Sequence, residues 1–321
     1  MPIEKFFERE FRPDGRFIYR LAGKRVFSTR PVQVRRLAGK GRPILVVRIP
    51  REEIGLFNHF AFNLGWMRWA EDRGYRTYVD MRTPRNVFNR GKKIAFNPWD
   101  EFFQQECSAE EVFDARKVLV TSGHCTPPDF PGVFLSLCHQ ENLEFLAWRK
   151  FTRDHITLTD KTAGAIDARQ TELFKGETRV LGCLVRGTDY TKMKPRYHPV
   201  QPDPLQVVDD ARKLCAERGL KKVFLATEDR GVRDLFQREF GDDLILNQTE
   251  LPDYQSDYLV DSGALGDFAR TMLISTQYLV SIVLLSRCPC LLAGCASGSM
   301  GAALLSPGFE VMKFYDLGCY R

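Results

Sequence analysis

Between residues 179 and 305, short apolar runs alternate with helical segments, and that alternation leaves few folds open to the chain. Residues 180–185 read as a strand, Pro204–Arg218 as a helix stopped by Gly219, and 222–227 as a second strand. A helix over 231–240 ending at Gly241, a strand over 243–246, a long helix over Phe268–Ser286, a strand over 289–293 and a helix starting over Ser297–Leu305 follow. The strand runs are continuously apolar rather than alternating, as in strands buried on both faces. A parallel sheet with helices on both sides is therefore expected.

A β-α-β unit is also expected near the start. Residues 43–49 are apolar and β-branched. Phe57, Phe60, Ala61, Leu64, Met67 and Ala70 then fall at helical spacing before Gly74, and 75–81 returns to strand character. Between the two stretches, 83–115 reads as loops with short helices, 117–121 as a strand and Leu143–His155 as a helix. The polar stretch 157–177 reads as a helical connector. At roughly 150 residues per domain, 321 residues suggest two α/β domains, 1–165 and 166–321.

Hydrophobic residues at 44% and charged residues at 27% exclude disorder and collagen-like repeats. The nine cysteines are odd in number and contain no Cys-x-x-Cys pair, which points to reduced thiols in a cytoplasmic protein. No apolar signal-peptide core stands at the N-terminus. The uncharged runs 271–286 and 288–309 are short or broken by Pro and Gly, and are expected as buried core. The net charge of +6 is uneven. Residues 1–50 carry 13 Lys/Arg against 4 Asp/Glu (+9), which leaves 34 against 37 (−3) for the rest. Such a segment suits an anionic partner or a solvated basic edge, and residues 1–42 are expected as a hairpin or an extended arm.

In an open parallel sheet, ligands bind at the carboxyl ends of the strands. Three such ends carry suitable chemistry. The first is Leu184-Val-Arg186-Gly187-Thr-Asp189. Arg186 could take a phosphate in two-point contact, Gly187 could let the backbone approach it, and Asp189 could hold Arg186; a surface Arg–Asp pair is the alternative. The second is Thr227-Glu228-Asp229. Its carboxylates could take paired N–H donors, ribose hydroxyls or a metal, or cap the next helix. The third is Gly294-Cys-Ala296-Ser297-Gly298-Ser299-Met-Gly301. Its N–H groups and hydroxyls at a helix start suit a phosphate, while small residues for tight packing are the alternative; it matches neither common Gly-rich phosphate-loop pattern.

Taken in order, Arg-x-x-Asp after a strand, Phe224-Leu-Ala-Thr-Glu-Asp229, and an apolar helix followed by Ala296-Ser-Gly-Ser299 resemble the fucosyltransferase superfamily. That group comprises the nodulation-type α-1,6-, the α-1,2- and the protein O-fucosyltransferases. Gly55-Leu-Phe-Asn58-His59 resembles its Gly-x-x-Asn segment. Where the family's motifs carry His, a second Arg, a first Asp and a first Ser, this chain has Leu184, Gly187, Glu228 and Ala296. The resemblance covers about residues 45–80 and 178–305.

The resemblance implies two Rossmann-like domains facing across a cleft, the GT-B arrangement. The C-terminal half would bind the nucleotide sugar and the N-terminal half the acceptor. It implies an inverting, metal-independent transfer of fucose from GDP-fucose to a glycan or glycolipid acceptor, with no cofactor. Arg186 and Asp189 would be catalytic, with Asn58, Arg186, Glu228, Asp229, Ser297, Gly298 and Ser299 at the donor. The base is unassigned, with His59 a candidate. Two alternatives remain at this level: the same fold with another nucleotide-sugar donor, and a non-catalytic nucleotide- or glycan-binding protein. The middle aromatics Trp66, Trp69, Phe88, Phe96, Trp99, Phe102 and Phe103 could stack on sugar rings or fill the core. Nucleic-acid binding is not expected, because residues 24–42 hold one aromatic, Phe27. Peripheral attachment at the cytoplasmic membrane face through the basic segment is expected.

Overall fold

A computed structural model describes residues 7–11, 17–21, 24–29, 32–35, 39–92, 94–121, 126–131, 142–187, 191, 194–247 and 268–321, and only the backbone up to 35. The chain divides into two compact units, Met1–Ile54 with Phe62–Phe130, and Gly55–Ala61 with Pro131–Arg321.

The first unit begins with β1 (Phe7–Phe11), β2 (Phe17–Leu21) and β3 (Lys24–Thr29), an antiparallel three-stranded sheet. A second sheet has the order β4-β7-β5-β6, from β4 (Val32–Arg35), β5 (Ile44–Val47), β6 (Arg76–Val79) and β7 (Val118–Thr121). β5 pairs in parallel with both β6 and β7, and β4 lies antiparallel along β7. Residues 1–42 thus contribute four strands, β1 to β4, rather than a single hairpin or an arm.

Alternate residues of β5 face opposite sides. Leu45 and Val47 pack with Trp66 and Trp69 of α1 (Leu56–Glu71), while Ile44 and Val46 pack with Tyr78, Cys107 and Val118. This two-sided burial is what the continuous apolar run requires. Gly74, at φ +70°, turns the chain from α1 toward β6. Trp66, Trp69, Phe88, Trp99, Phe102 and Phe103 are buried, which settles them as core; Phe96 is exposed. Two short helices occupy the expected loop region. They are α2 (Pro98–Phe102) and α3 (Ala109–Asp114), the latter started by a capping box between Ser108 and Glu111.

The Asp80 carboxylate, at the end of β6, is 4% exposed and accepts from Arg48 Nε at 2.9 Å. Burial raises this carboxyl's pKa, but hydrogen bonds from Thr83 and Arg48, the Arg48 charge and the Arg82 N–H outweigh it, and the pKa lies below the ordinary 3.8. A carboxyl lowered on folding stabilises the fold above its unfolded pKa and loses that contribution as pH falls through the folded one. Asp80→Asn is expected to cost about 1–3 kcal/mol at neutral pH. In denaturant titrations the gap between the two proteins should shrink as the pH drops below the ordinary carboxylate value. A gap that stays constant with pH would assign the loss to packing alone.

The second unit opens with α4 (Leu143–His155) and α5 (Asp160–Phe174), capped by Asn142 and Thr159. α5 is not a free connector. Ile166 and Phe174 are buried, and Arg169 binds both the side chain and the carbonyl of Asn247. Then follow β8 (Val180–Leu184), α6 (Pro204–Arg218), β9 (Lys222–Ala226), α7 (Arg230–Phe240), β10 (Leu244–Leu246), α8 (Phe268–Ser286), β11 (Cys290–Gly294), α9 (Ser297–Leu305) and β12 (Val311–Tyr315).

All five strands are parallel, in the order β10-β9-β8-β11-β12. α6 is bounded as its sequence dictates, by Asp203 as N-cap, Pro204 at its first turn and Gly219 in the left-handed region. Leu181, Cys183, Val223, Leu225, Cys290 and Leu292 meet Val207, Ala211, Val232 and Phe236 in one core. Each fully buried side chain of this size stabilises by about 1.5–3 kcal/mol.

α8 is the one described helix long and apolar enough to cross a membrane by length and composition. In this unit it lies against β8, β9, α5 and α9, and Leu279–Ser286 is buried. Seven described cysteines are free thiols, and burial pushes the pKa of Cys107 up to about 12 and of Cys215 to about 11.

Candidate functional site

In the C-terminal sheet the chain moves from β8 outward to β9 and β10, then returns past β8 to β11 and β12. The reversal lies between β8 and β11. In open α/β sheets a ligand crevice forms at the carboxyl ends on either side of such a reversal. The loops leaving β8, β9 and β11 here carry Arg186, Glu228 and Ser297.

Val185 still donates to the Ala226 carbonyl at 3.1 Å, so the ladder continues one residue past β8 and fixes where Arg186 leaves it. Arg186 Nε lies 3.2 Å from Glu228 Oε1, with side-chain exposures of 17% and 19%. A carboxylate from the neighbouring strand therefore forms an ion pair with Arg186. Asp189, the expected partner, lies outside the described residues.

Asp229 has a different task. Its Oδ1 accepts from the Val232 N–H at 3.0 Å, and its own N–H donates to Thr227 Oγ1 at 3.1 Å, which makes it the N-cap of α7. Glu228 and Asp229 thus part company, one to a guanidinium and one to a helix end. Gly187 is explained by the same aspartate. A β-carbon there would fall 2.3 Å from Asp229 Oδ2 and 2.4 Å from its Cβ. The glycine makes room for a protein side chain, where sequence reasoning had reserved the space for phosphate.

The third loop divides similarly. Ala296 is extended (φ −157°, ψ 162°) and, as the N-cap of α9, offers no side-chain hydrogen bond to the first-turn N–H groups. Free first-turn N–H groups and the helix dipole favour an anion there. Ser297 Oγ donates to Asn58 Oδ1 at 2.8 Å, and both residues belong to the second unit. Asn58 and Ser297 are brought together although 239 positions separate them.

Ser299 is turned inward, fully buried, and its hydroxyl donates to the Gly294 carbonyl at 2.6 Å; it closes the turn rather than facing a ligand. A β-carbon on Gly298 would lie 1.9 Å from Tyr278 Oη, and one on Gly301 2.2 Å from the Phe57 ring. These two glycines are demanded by close packing. His59 is buried, 1% exposed.

One pairing and one residue are not legible in the sequence. Glu228 was read as half of a carboxylate pair, not as the partner of Arg186. Gln201 is buried, donates to the Cys295 carbonyl at 2.9 Å and the Pro199 carbonyl at 3.2 Å, and so latches the β11–α9 turn. Its one sequence signal is indirect: Gly294 has no room for a β-carbon, which would sit 2.2 Å from Gln201 Oε1. No group of three His, Cys, Asp or Glu side chains suited to a metal occurs among the described residues.

No protein-family model matches the chain, and no curated protein sequence matches it. Solved structures similar to it include NodZ α-1,6-fucosyltransferase soaked with GDP-fucose, 18% identical, TM-score 0.49, covering 84% of this chain and 94% of that one. NodZ from Bradyrhizobium is 17% identical with TM-score 0.49, over 87% and 96% of the two chains. POFUT1 in complex with GDP is 10% identical with TM-score 0.47, over 87% and 99% of the two chains.

Proposed function

We propose that the chain is an inverting, metal-independent glycosyltransferase that transfers fucose from GDP-fucose to a glycan or glycolipid acceptor. The observation that carries this reading is that three strand ends around one sheet reversal bear groups suited to a diphosphate. These are an arginine paired with Glu228, the uncapped N-terminal end of α9 and the Ser297 hydroxyl held by Asn58. The ordered motifs that resemble the fucosyltransferase superfamily supply the donor sugar.

In this mechanism an acceptor hydroxyl attacks the anomeric carbon from the face opposite the diphosphate. The new C–O bond forms as the bond from that carbon to the diphosphate oxygen breaks, and the electron pair leaves on the diphosphate. The hydroxyl proton passes to a base. Negative charge grows on the departing oxygen, and Arg186 with the first-turn N–H groups of α9 stabilises it. Their arrangement is set before the reaction, so little reorganisation is needed as the charge develops.

A second reading, the same fold with another nucleotide-sugar donor, is favoured by one observation. Asp229 is committed to capping α7, which leaves no free pair of carboxylates for a guanine edge. Calorimetric titration separates the two. GDP is expected to bind at least about 10-fold more tightly than UDP, ADP or CMP, a difference of about 1.4 kcal/mol. A preference for UDP would overturn the fucosyl assignment and keep the transferase. Attachment to the cytoplasmic membrane face, through the +9 of residues 1–50, belongs to the same proposal.

A further inference from the structure

The parallel part of the first unit's sheet has its own reversal. The chain runs from β5 to β6 on one side and returns across β5 to β7 on the other, giving the order β7-β5-β6. A crevice is expected at the carboxyl ends of β5 and β7. Arg48 is the first residue beyond β5, and Thr121 is the last of β7. The two are locked together: the Arg48 N–H donates to Thr121 Oγ1 at 2.7 Å, and the Thr121 hydroxyl donates to the Arg48 carbonyl at 2.7 Å.

The end of β6 contributes Asp80. Its Oδ2 accepts from Arg48 Nε at 2.9 Å and Thr83 Oγ1 at 2.7 Å, and its Oδ1 accepts from the N–H groups of Arg82 at 3.0 Å and Thr83 at 3.3 Å. A carboxylate has about four acceptor positions. Those of Asp80 are therefore filled by the protein, and it acts on a ligand only by holding Arg48. The Arg48 side chain is 28% exposed, and no acceptor among the described residues takes its two terminal amino groups. Arg82, 40% exposed, flanks the same carboxylate with Nε 3.7 Å from Asp80 Oδ1. Arg82 also faces Asp100 and donates to the Tyr78 hydroxyl, which leaves the outer amino groups of Arg48 as the cation open to a ligand. A fixed planar fork with both outer amino groups available matches the paired oxygens of a carboxylate or phosphate.

We propose that Arg48, held by Asp80 and Thr121, binds an oxyanion, a carboxylate or phosphate borne by an acidic saccharide. Naming that saccharide the acceptor rests on the transferase reading; the oxyanion site does not. The test is calorimetric titration of the full chain with methyl β-glucuronide, methyl α-mannoside 6-phosphate and neutral methyl β-glucoside, with GDP titrated into the same preparations.

At least one acid is expected to bind at least about 10-fold more tightly than the glucoside. The stronger of the two acids identifies the group as carboxylate or phosphate. Arg48→Lys keeps a cation beside Asp80 but loses the fork, and should remove most of that preference while GDP affinity is unchanged. Equal binding of all three saccharides by the unaltered protein overturns the proposal without any variant. So does an acid affinity that Arg48→Lys leaves intact. Failure to bind GDP, alongside acid binding that depends on Arg48, would sink the transferase reading and leave the oxyanion site standing.

Discussion

Arg186→Ala is expected to slow release of GDP from GDP-fucose by about 10²–10³-fold, the range for removing one well-placed donor to a developing negative charge. Water can serve as acceptor in this assay, so the natural acceptor is not needed. The loss should fall mainly on kcat, because the additional charge on the departing oxygen begins to develop only in the transition state. The protein should remain folded. Arg186 and Glu228 sit at a strand end, 17% and 19% exposed, outside the apolar core of the unit. Glu228→Gln is expected to lower the rate less, since it loosens the guanidinium without removing it. The double variant should be no slower than Arg186→Ala, because Glu228 acts through Arg186. Undiminished turnover by Arg186→Ala would remove Arg186 from the mechanism, and additive losses in the double variant would show that Glu228 does not act through it.

The elements carrying this site were legible for a physical reason. β8, β9 and β11 are buried on both faces, and such strands must be apolar throughout. β12 escaped notice because it is an edge strand. Lys313 faces outward and salt-bridges Asp210 at 2.7 Å, so Val311–Tyr315 lacks the continuous run. β4 was hidden in the basic segment for the same reason: Val32–Arg35 alternates polar and apolar residues at the edge of its sheet.

The site was legible as a set of loops but not in its pairings. The nearest carboxylate in sequence to Arg186 is Asp189, whereas Glu228 reaches it only because β8 and β9 are neighbours in register. Two serines at the start of α9 look alike in sequence. The phase of the helix sends Ser297 to Asn58 and Ser299 to the Gly294 carbonyl. For the small residues of the β11–α9 turn, open to phosphate cradling or tight packing in the sequence, the packing is visible: Gly298 and Gly301 make room for Tyr278 and Phe57, as Gly187 does for Asp229.

That last distinction yields the second large effect. Gly187→Ala places a methyl group 2.3–2.5 Å from Oδ2, Cβ and Cγ of Asp229, well inside contact distance. Relief requires moving either the Arg186 loop or the aspartate that caps α7, and overpacking of this kind costs about 1–3 kcal/mol. Displacing the cap costs about 1 kcal/mol more. Thermal unfolding should report the sum, and GDP affinity should fall with it because the same loop carries Arg186. The choice of rescue variant separates steric crowding from a direct role of the glycine at phosphate. Asp229→Ala retains the β-carbon 2.4 Å away and should not restore Gly187→Ala. Asp229→Gly removes that atom as well, and should recover GDP binding while still lacking the cap. Full GDP affinity in Gly187→Ala would show that the loop yields without moving Arg186. Failure of Asp229→Gly to restore binding would return Gly187 to the phosphate.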